Sequence, residues 1–472
     1  MLALEKIEKG MLSLQLAGIS SDILARISKE VHSNKKSPQG FSKDLKEYSA
    51  FWLLLLDTLA KIPKKSERSP VQQDAAQLLL DAGRVSREAF LKHYVFEVYD
   101  QLTEGQTLFL RVEDIASLAA EAFPGLVPTD KVIEIENQSV QRDKDGHEID
   151  QGLLFAHILA NQSCGLHLCH AMLLPHPETV KYRDEFARTG QVNLGTVYLE
   201  RRGKAAIANL SNQKYLNAED DSTVDAQEIA VDICTLDQQS EIAVMRGAAL
   251  ESGKYQGKRV FCTGINLTHL YYGKVSYLWY LKREMGFINK VFRGIASKEY
   301  SPDEILGETN EKLWIASIDS FAIGGGCQYL LAMDVNIAAS DAYLTLPARK
   351  EGIIPGLANM RLPRFIGDRF TRQAIMMERR IDCDSDIGKM ICDKVVPPSE
   401  MEDTLEATIS LITGSGVVSS SSNRKAFRVA HEPLDLFRRY MAVYAREQAY
   451  CHFSPALIRN LEKHWNAQNR KL

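Results

Sequence analysis

Ser317 to Asp334 reads SIDSFAIGGGCQYLLAMD, and the reading of its three consecutive glycines, Gly324, Gly325 and Gly326, decides the fold. A strand-like run leads into them and a helix-like run leads out. Lacking side chains, they let backbone N–H groups approach a substrate oxygen closely. Taken alone, such a run is equally a tight strand-to-helix turn. The surroundings favour more than a turn. Arg259 to Leu270, RVFCTGINLTHL, is a second strand-then-loop segment, with LNAEDD upstream of it and EGIIPG downstream of the glycines. Two loops in this order can offer paired backbone donors to an oxygen that becomes negative. Each such donor contributes roughly 3–4 kcal/mol of transition-state stabilisation.

Working outward, the 472 residues allow two to three domains, and 45% apolar residues suffice for sizeable cores. A formal charge of −4 leaves no footprint for nucleic acid or an anionic membrane. The longest apolar run, FWLLLL at Phe51 to Leu56, is far too short to span a bilayer. No charged-then-apolar leader is read at the start, so a cytoplasmic location is expected. The eight cysteines, Cys164, Cys169, Cys234, Cys262, Cys327, Cys383, Cys392 and Cys451, have no framework spacing and suit reduced thiols.

Composition changes near residue 190. Before it, LEKIEKGMLSLQLAG, KEYSAFWLLLLDTLAKI and QQDAAQLLLDAGRVSREAFLKHYVFEVYDQL carry apolar residues at three- and four-residue spacing, the mark of amphipathic helices. The polar linkers HSNKKSPQG and KKSERSP separate them. After Val192 come the strand-like runs VYLERRGKAAIANL, SEIAVMRGAAL, KRVFCTG and KLWIASIDSFAIGG, each running into a loop or helix. That alternation predicts an α/β core. Gly414 to Asn423, GSGVVSSSSN, reads as a surface loop before a helical tail. The expected organisation is a helical N-terminal domain over 1–190, the core over 191–400 and C-terminal helices over 401–472.

The segments NQKYLNAEDDSTVDA, YLWYLKREMGF, GGGCQYLLAMD and LPARKEGIIPG resemble the crotonase (enoyl-CoA hydratase/isomerase) superfamily. Within it they are similar to the cofactor-independent 3,5-dihydroxyphenylacetyl-CoA 1,2-dioxygenases of glycopeptide-antibiotic biosynthesis. The resemblance implies a crotonase-like spiral of ββα turns behind an all-helical N-terminal domain. The chain departs from a hydratase at two places. Gln328 stands where a hydratase carries its first Glu, and Ala348 where the segment F-G-x-P-E supplies the second.

The same resemblance implies the roles. Backbone N–H groups of Ile265 and Gly325 form the oxyanion hole. Glu219, Arg283 and Gln328 contact ring hydroxyls, while Ala348, Leu267 and Ile353 wall a small apolar space for O2. Lys214 and Ala218, with Arg424, Lys425 and Arg428, are candidates for holding CoA. Taken by themselves, Glu219 beside Asp220 and Asp221 reads more readily as a solvated acidic loop, and Arg283 also reads as a surface charge. The implied reaction oxidises the α-carbon of an arylacetyl-CoA with O2 and cleaves the thioester, giving an aryl glyoxylate and CoA. No metal or organic cofactor is expected. A homotrimer or dimer of trimers is implied, with no nucleic-acid or membrane partner. A plain hydratase, isomerase or thioester hydrolase, and a catalytically silent scaffold, are the other readings.

One cluster invites a different reading. Cys164, His167, Cys169, His170 and His176 crowd NQSCGLHLCHAMLLPHP. Structural zinc sites use separated ligand pairs that can wrap the ion. Here all candidates share one short apolar segment, so packing is expected. No Walker-type loop or G-x-G-x-x-G lies between a strand and a helix.

Overall fold

The computed structural model describes residues 10–33, 38–299, 305 and 308–472. Parts of the first expected helix (4–9) and of the first linker (34–37) lie outside these. The chain divides into two compact units, Met1–Leu168 with Met441–Phe453, and Cys169–Tyr440 with Ser454–Leu472.

The first unit is helical. Its main helices are α1 (Phe41–Leu59), α2 (Pro70–Leu102), α3 (Val112–Ala122) and α4 (Ile149–Ala160). Ser69 and Gln72 form a capping box that starts α2, with Pro70 in the first turn, where its missing N–H leaves no bond unmade. The FWLLLL run lies inside α1. Its Trp52 packs edge-on against Phe90 at 5.3 Å and donates from Nε1 to Ser86 Oγ at 3.0 Å. None of the described helices is long and apolar enough to cross a membrane.

The second unit is built on a seven-stranded sheet of spatial order β1-β2-β3-β4-β5-β7-β10. These are β1 (Gln191–Asn193), β2 (Val197–Arg202), β3 (Ala205–Leu210), β4 (Ile242–Gly247), β5 (Leu313–Ile318), β7 (Val335–Ala339) and β10 (Lys394–Val396). A smaller sheet places β8 (Tyr343–Thr345) between β6 (Phe321–Ile323) and β9 (Ile381–Asp382). From β3 onward the large sheet is parallel. Strands β3, β4 and β5 are buried along their whole length, which is why AAIANL, IAVMRG and LWIASI read as near-continuous apolar runs without alternation.

A repeated turn positions the site. β5 lies in the large sheet, β6 in the small one, and α7 (Gly325–Leu330) follows at once. β7, β8 and α8 (Ala348–Glu351) repeat the pattern. β4, a short extended stretch bridged to β6 through Cys262 and Ala322, and α6 (Leu267–Tyr271) give a third copy. Each copy turns from its second strand into its helix at Gly264–Ile265, Gly324–Gly325 or Pro347–Ala348. The quoted segments therefore occupy equivalent corners. α5 (Val224–Leu236), α9 (Ala358–Met377) and α10 (Met401–Thr413) complete the helices used below.

One local expectation is corrected. Of the stretch Gly414 to Asn423 read as a loop, only 414–417 lie outside helices; Val418 to Asn423 open α11 (Val418–His431). Serine is only weakly unfavourable in a helix, and the tertiary contacts of Arg424 and Arg428 decide the outcome. Arg424 Nε bonds Asp334 at 2.9 Å, and Arg428 makes a two-pronged contact with Glu311 at 2.8 and 2.9 Å.

Candidate active site

The loop before α6 and the start of α7 fit together through their glycines. Gly264 has φ +76 and Gly324 φ +53, both on the side of the backbone map that side chains disfavour. A Cβ on Gly264 would come within 2.9 Å of the Gly325 nitrogen, and one on Gly326 within 2.5 Å of the Cys262 carbonyl. A Cβ on Gly325 would fall on the Glu219 carboxylate. The run GGG is thus a requirement of close approach and not only of turning.

Glu219 and Ile265 form an isolated parallel bridge. In it, the Glu219 N–H donates to the Gly264 carbonyl at 2.8 Å, and the Asn266 N–H donates to the Glu219 carbonyl at 2.7 Å. Alternation along an extended chain turns the N–H of Ile265 to the opposite side. Gly325 is the first residue of α7, where the N–H has no carbonyl within the helix to bond. Arg283 Nη2 donates to the Gly325 carbonyl at 3.0 Å and holds the Gly325–Gly326 peptide, the one after that N–H.

Behind the glycines lies a buried charge cluster. Arg283 donates from Nε and Nη2 to the two carboxylate oxygens of Glu219 at 2.9 and 3.1 Å, and from Nη1 to Gln328 Oε1 at 2.7 Å. Nη1 also pairs with Glu284, and the Tyr329 hydroxyl donates to Glu219. Glu219 is 0% exposed and Arg283 2%. Neither is the solvated charge that the sequence alone allowed. Burial opposes the charge of Arg283, but Glu219 and then Glu284 outweigh it and hold the guanidinium above its ordinary value. Burial and then Glu219 push the Tyr329 phenol up. Burial also raises Glu284, against the pull of Arg283. A π-helical turn at Lys282–Ile288 keeps the neighbours Arg283 and Glu284 both inside.

In front of the loops is a cavity of about 430 Å³. Tyr215, Ala218, Ile265, Leu267, Ile323 and Glu351 are among its walls, with Lys214 and Lys350. The structure thus brings Ile265, Leu267, Ala218 and Lys214 to one cavity. Ala348 is buried on the same short helix as Glu351, and Ile353 follows half-buried. Arg424 and Arg428 are not brought to this cavity. They line a second one with Phe427 and His431, and Lys425 lies 3.8 Å from Glu311.

Among the described residues, those of the Cys/His segment are not grouped as metal ligands. His167 Nδ1 meets the Tyr99 hydroxyl at 2.8 Å, His170 Nε2 meets the Ser297 carbonyl at 3.1 Å, and His176 Nε2 lies 3.7 Å from Asp225. Burial pushes the Cys164 and Cys169 thiols up to about 12, as expected of packed, unreactive thiols. Among the described residues, Glu136, Asp145 and His147 do approach one another, but Glu136 already accepts three backbone N–H groups there at 2.5–3.1 Å.

Glu351, Glu284 and Tyr329 were not singled out from the sequence. Glu351 follows Arg349 and Lys350 and reads as surface charge; only the β8-to-α8 corner turns it inward.

The enoyl-CoA hydratase/isomerase family model matches residues 202–440. A (3,5-dihydroxyphenyl)acetyl-CoA 1,2-dioxygenase of Amycolatopsis orientalis is 42% identical over 394 residues, which is 83% of this chain and 89% of that protein. A short-chain-enoyl-CoA hydratase of Clostridium acetobutylicum is 27% identical over 50% of this chain and 82% of that protein. Among solved structures, carnitinyl-CoA hydratase from Mycobacterium avium covers 59% of this chain and 98% of its own at 19% identity, with a TM-score of 0.47. The match over 202–440, which holds both glycine corners and the buried cluster, and the identity to the Amycolatopsis protein agree: the chain belongs to the enoyl-CoA hydratase/isomerase family, the crotonase superfamily.

Proposed function

We propose that the protein is a metal- and cofactor-independent dioxygenase that converts an arylacetyl-CoA, with 3,5-dihydroxyphenylacetyl-CoA as the best candidate, and O2 into an aryl glyoxylate and CoA. The observation that carries this reading is the convergence of Glu219, Arg283 and Gln328 directly behind Gly325. The identity to the Amycolatopsis dioxygenase supports it.

The thioester oxygen accepts from the N–H groups of Ile265 and Gly325, which lowers the cost of breaking the α-C–H bond. The electron pair of that bond becomes the enolate. An electron-rich ring lets the enolate pass one electron to O2, and the two radicals join as an α-peroxide. The terminal peroxide oxygen attacks the thioester carbon and expels the CoA thiolate. Loss of the second α-proton breaks the O–O bond and leaves the keto acid. Both oxygen atoms enter the product.

Ring hydroxyls would exchange into the existing bonds of Arg283, Glu219 and Gln328, and charge-assisted bonds of this kind are the strong ones. Gln328 and Ala348 leave no carboxylate at either hydratase position, which disfavours addition of water. Lys214, on the wall of the cavity, is the proposed contact for a CoA phosphate, and a homotrimer or dimer of trimers in the cytoplasm completes the reading. Incubation of the purified protein with arylacetyl-CoA thioesters under air and under argon tests it. Glyoxylate and free CoA should appear only with O2. Equal product under argon, or activity lost to a chelator and restored by iron, overturns it.

A further inference from the structure

The reaction needs a base for the α-proton, and neither hydratase position supplies one. The geometry points to Glu351 as the catalytic base that removes it, a reading that rests on the proposed enolate chemistry.

Glu351 is 7% exposed, yet it walls the same cavity as Ile265 and Ile323. Its carboxylate faces the oxyanion corner, since a Cβ on Gly324 would lie 3.7 Å from its Oε1. A thioester held at the N–H groups of Ile265 and Gly325 presents its α-carbon beside that corner. No described residue donates a hydrogen bond to the Glu351 side chain, so its lone pairs are open. A second acid, Glu378, draws the two cations that precede Glu351 in sequence, Arg349 at 3.1 Å and Lys350 at 2.6 Å. Burial and then Glu378 push the Glu351 carboxyl up to about 7, the range in which a general base is effective near neutral pH.

The alternatives are worse placed. Glu219 has both oxygens on Arg283 and accepts from Tyr329 as well. His269 is tied between Asp220 at 2.7 Å and the Tyr215 hydroxyl at 3.1 Å, and only Tyr215 of that chain walls the cavity. In the step itself, the α-C–H bond breaks, the proton passes to a Glu351 carboxylate oxygen, and the electron pair enters the enolate. The proton leaves later to the CoA thiolate or to solvent.

The probe is 3,5-dihydroxyphenylacetyl-CoA. Exchange of its α-protons with deuterated solvent is followed under argon, and glyoxylate under air. Glu351→Gln should slow both by about 10²- to 10⁴-fold while the folded variant still binds the thioester with the parent's affinity. Glu351→Asp should keep part of the rate, and formate should restore exchange to Glu351→Ala, an effect that a merely structural role would not produce. Exchange and turnover at the parent rate in Glu351→Gln overturn the assignment, as does a rate that falls instead in Tyr215→Phe. A parent protein that exchanges α-protons through Glu351 but makes no glyoxylate sinks the dioxygenase reading and leaves the base in place.

Discussion

Two buried carboxylates flank the Gly324–Gly325 corner in opposite circumstances. On one side, Glu219 is bonded by Arg283 through both oxygens and by Tyr329, so its charge is fully compensated inside the protein. On the other, Glu351 has no donor among the described residues, stands near a second acid and opens onto the cavity. The difference separates two jobs that one residue type can do. A compensated carboxylate can hold a ring hydroxyl and fix its neighbours, but it is a poor proton acceptor. An uncompensated one in a dry setting is held near the pH at which it can take a proton and give it back.

The largest expected effect breaks the compensated side. Arg283→Ala strands both Glu219 and Glu284 in the core, and removing one member of a buried pair costs about 3–5 kcal/mol. Glu219→Gln leaves Arg283 paired with Glu284 and should cost clearly less. Chemical denaturation of both variants measures this, and equal losses would show that Glu284 does not hold the charge of Arg283 once Glu219 is neutral.

Next comes Gly325→Ala. Its new Cβ falls on the Glu219 carboxylate and disturbs the peptide whose carbonyl Arg283 holds. Loss of one oxyanion donor lowers kcat by about 10²- to 10³-fold. Glyoxylate formation by a variant shown to be folded reads it, and a loss below threefold would remove Gly325 from the hole.

Much of this was legible in the sequence, for identifiable reasons. Strands β3 to β5 announce themselves because burial on both faces demands unbroken apolar runs. Glu219, Arg283 and Gln328 are 109 positions apart at the extremes, yet local motifs marked each of them. The start of helix α11, Val418 to Asn423, was not legible, because its serines say little and the anchoring of Arg424 and Arg428 on Glu311 is a tertiary fact. Glu351 was missed for the same reason. Two cations precede it in sequence, and only the folded chain turns them to Glu378 and leaves Glu351 facing the cavity.

The uncompensated side predicts a pH dependence of stability. The folded pKa of Glu351, about 7, lies above its ordinary value of 4.5, so between these limits the folded state holds a proton that the unfolded state has lost. Stability from this group therefore falls as pH rises from about 4.5 through 7, by about 3 kcal/mol, and then levels. Glu351→Gln removes that fall, while Glu378, Arg349 and Lys350 remain in both proteins. Thermal unfolding should show the variant near the parent at pH 4.5 and more stable at pH 8. A constant difference across that range would show that the carboxyl keeps its ordinary acidity.

The smallest effect on folding, and the finest test of the corner, is Ala348→Leu. Ala348 is buried at the start of α8, three residues before Glu351. A larger side chain should fill the space proposed for O2, while the N–H groups of Ile265 and Gly325 and the base at Glu351 stay in place. Overpacking costs about 1–3 kcal/mol, so the folded state is confirmed first. Deprotonation and oxygenation should then separate: α-proton exchange continues and glyoxylate formation falls. If both fall together, Ala348 supports the position of Glu351 and the space beside it is not where O2 is held. If neither falls, O2 reaches the enolate by another route, and the two sides of the corner differ in their proton chemistry alone.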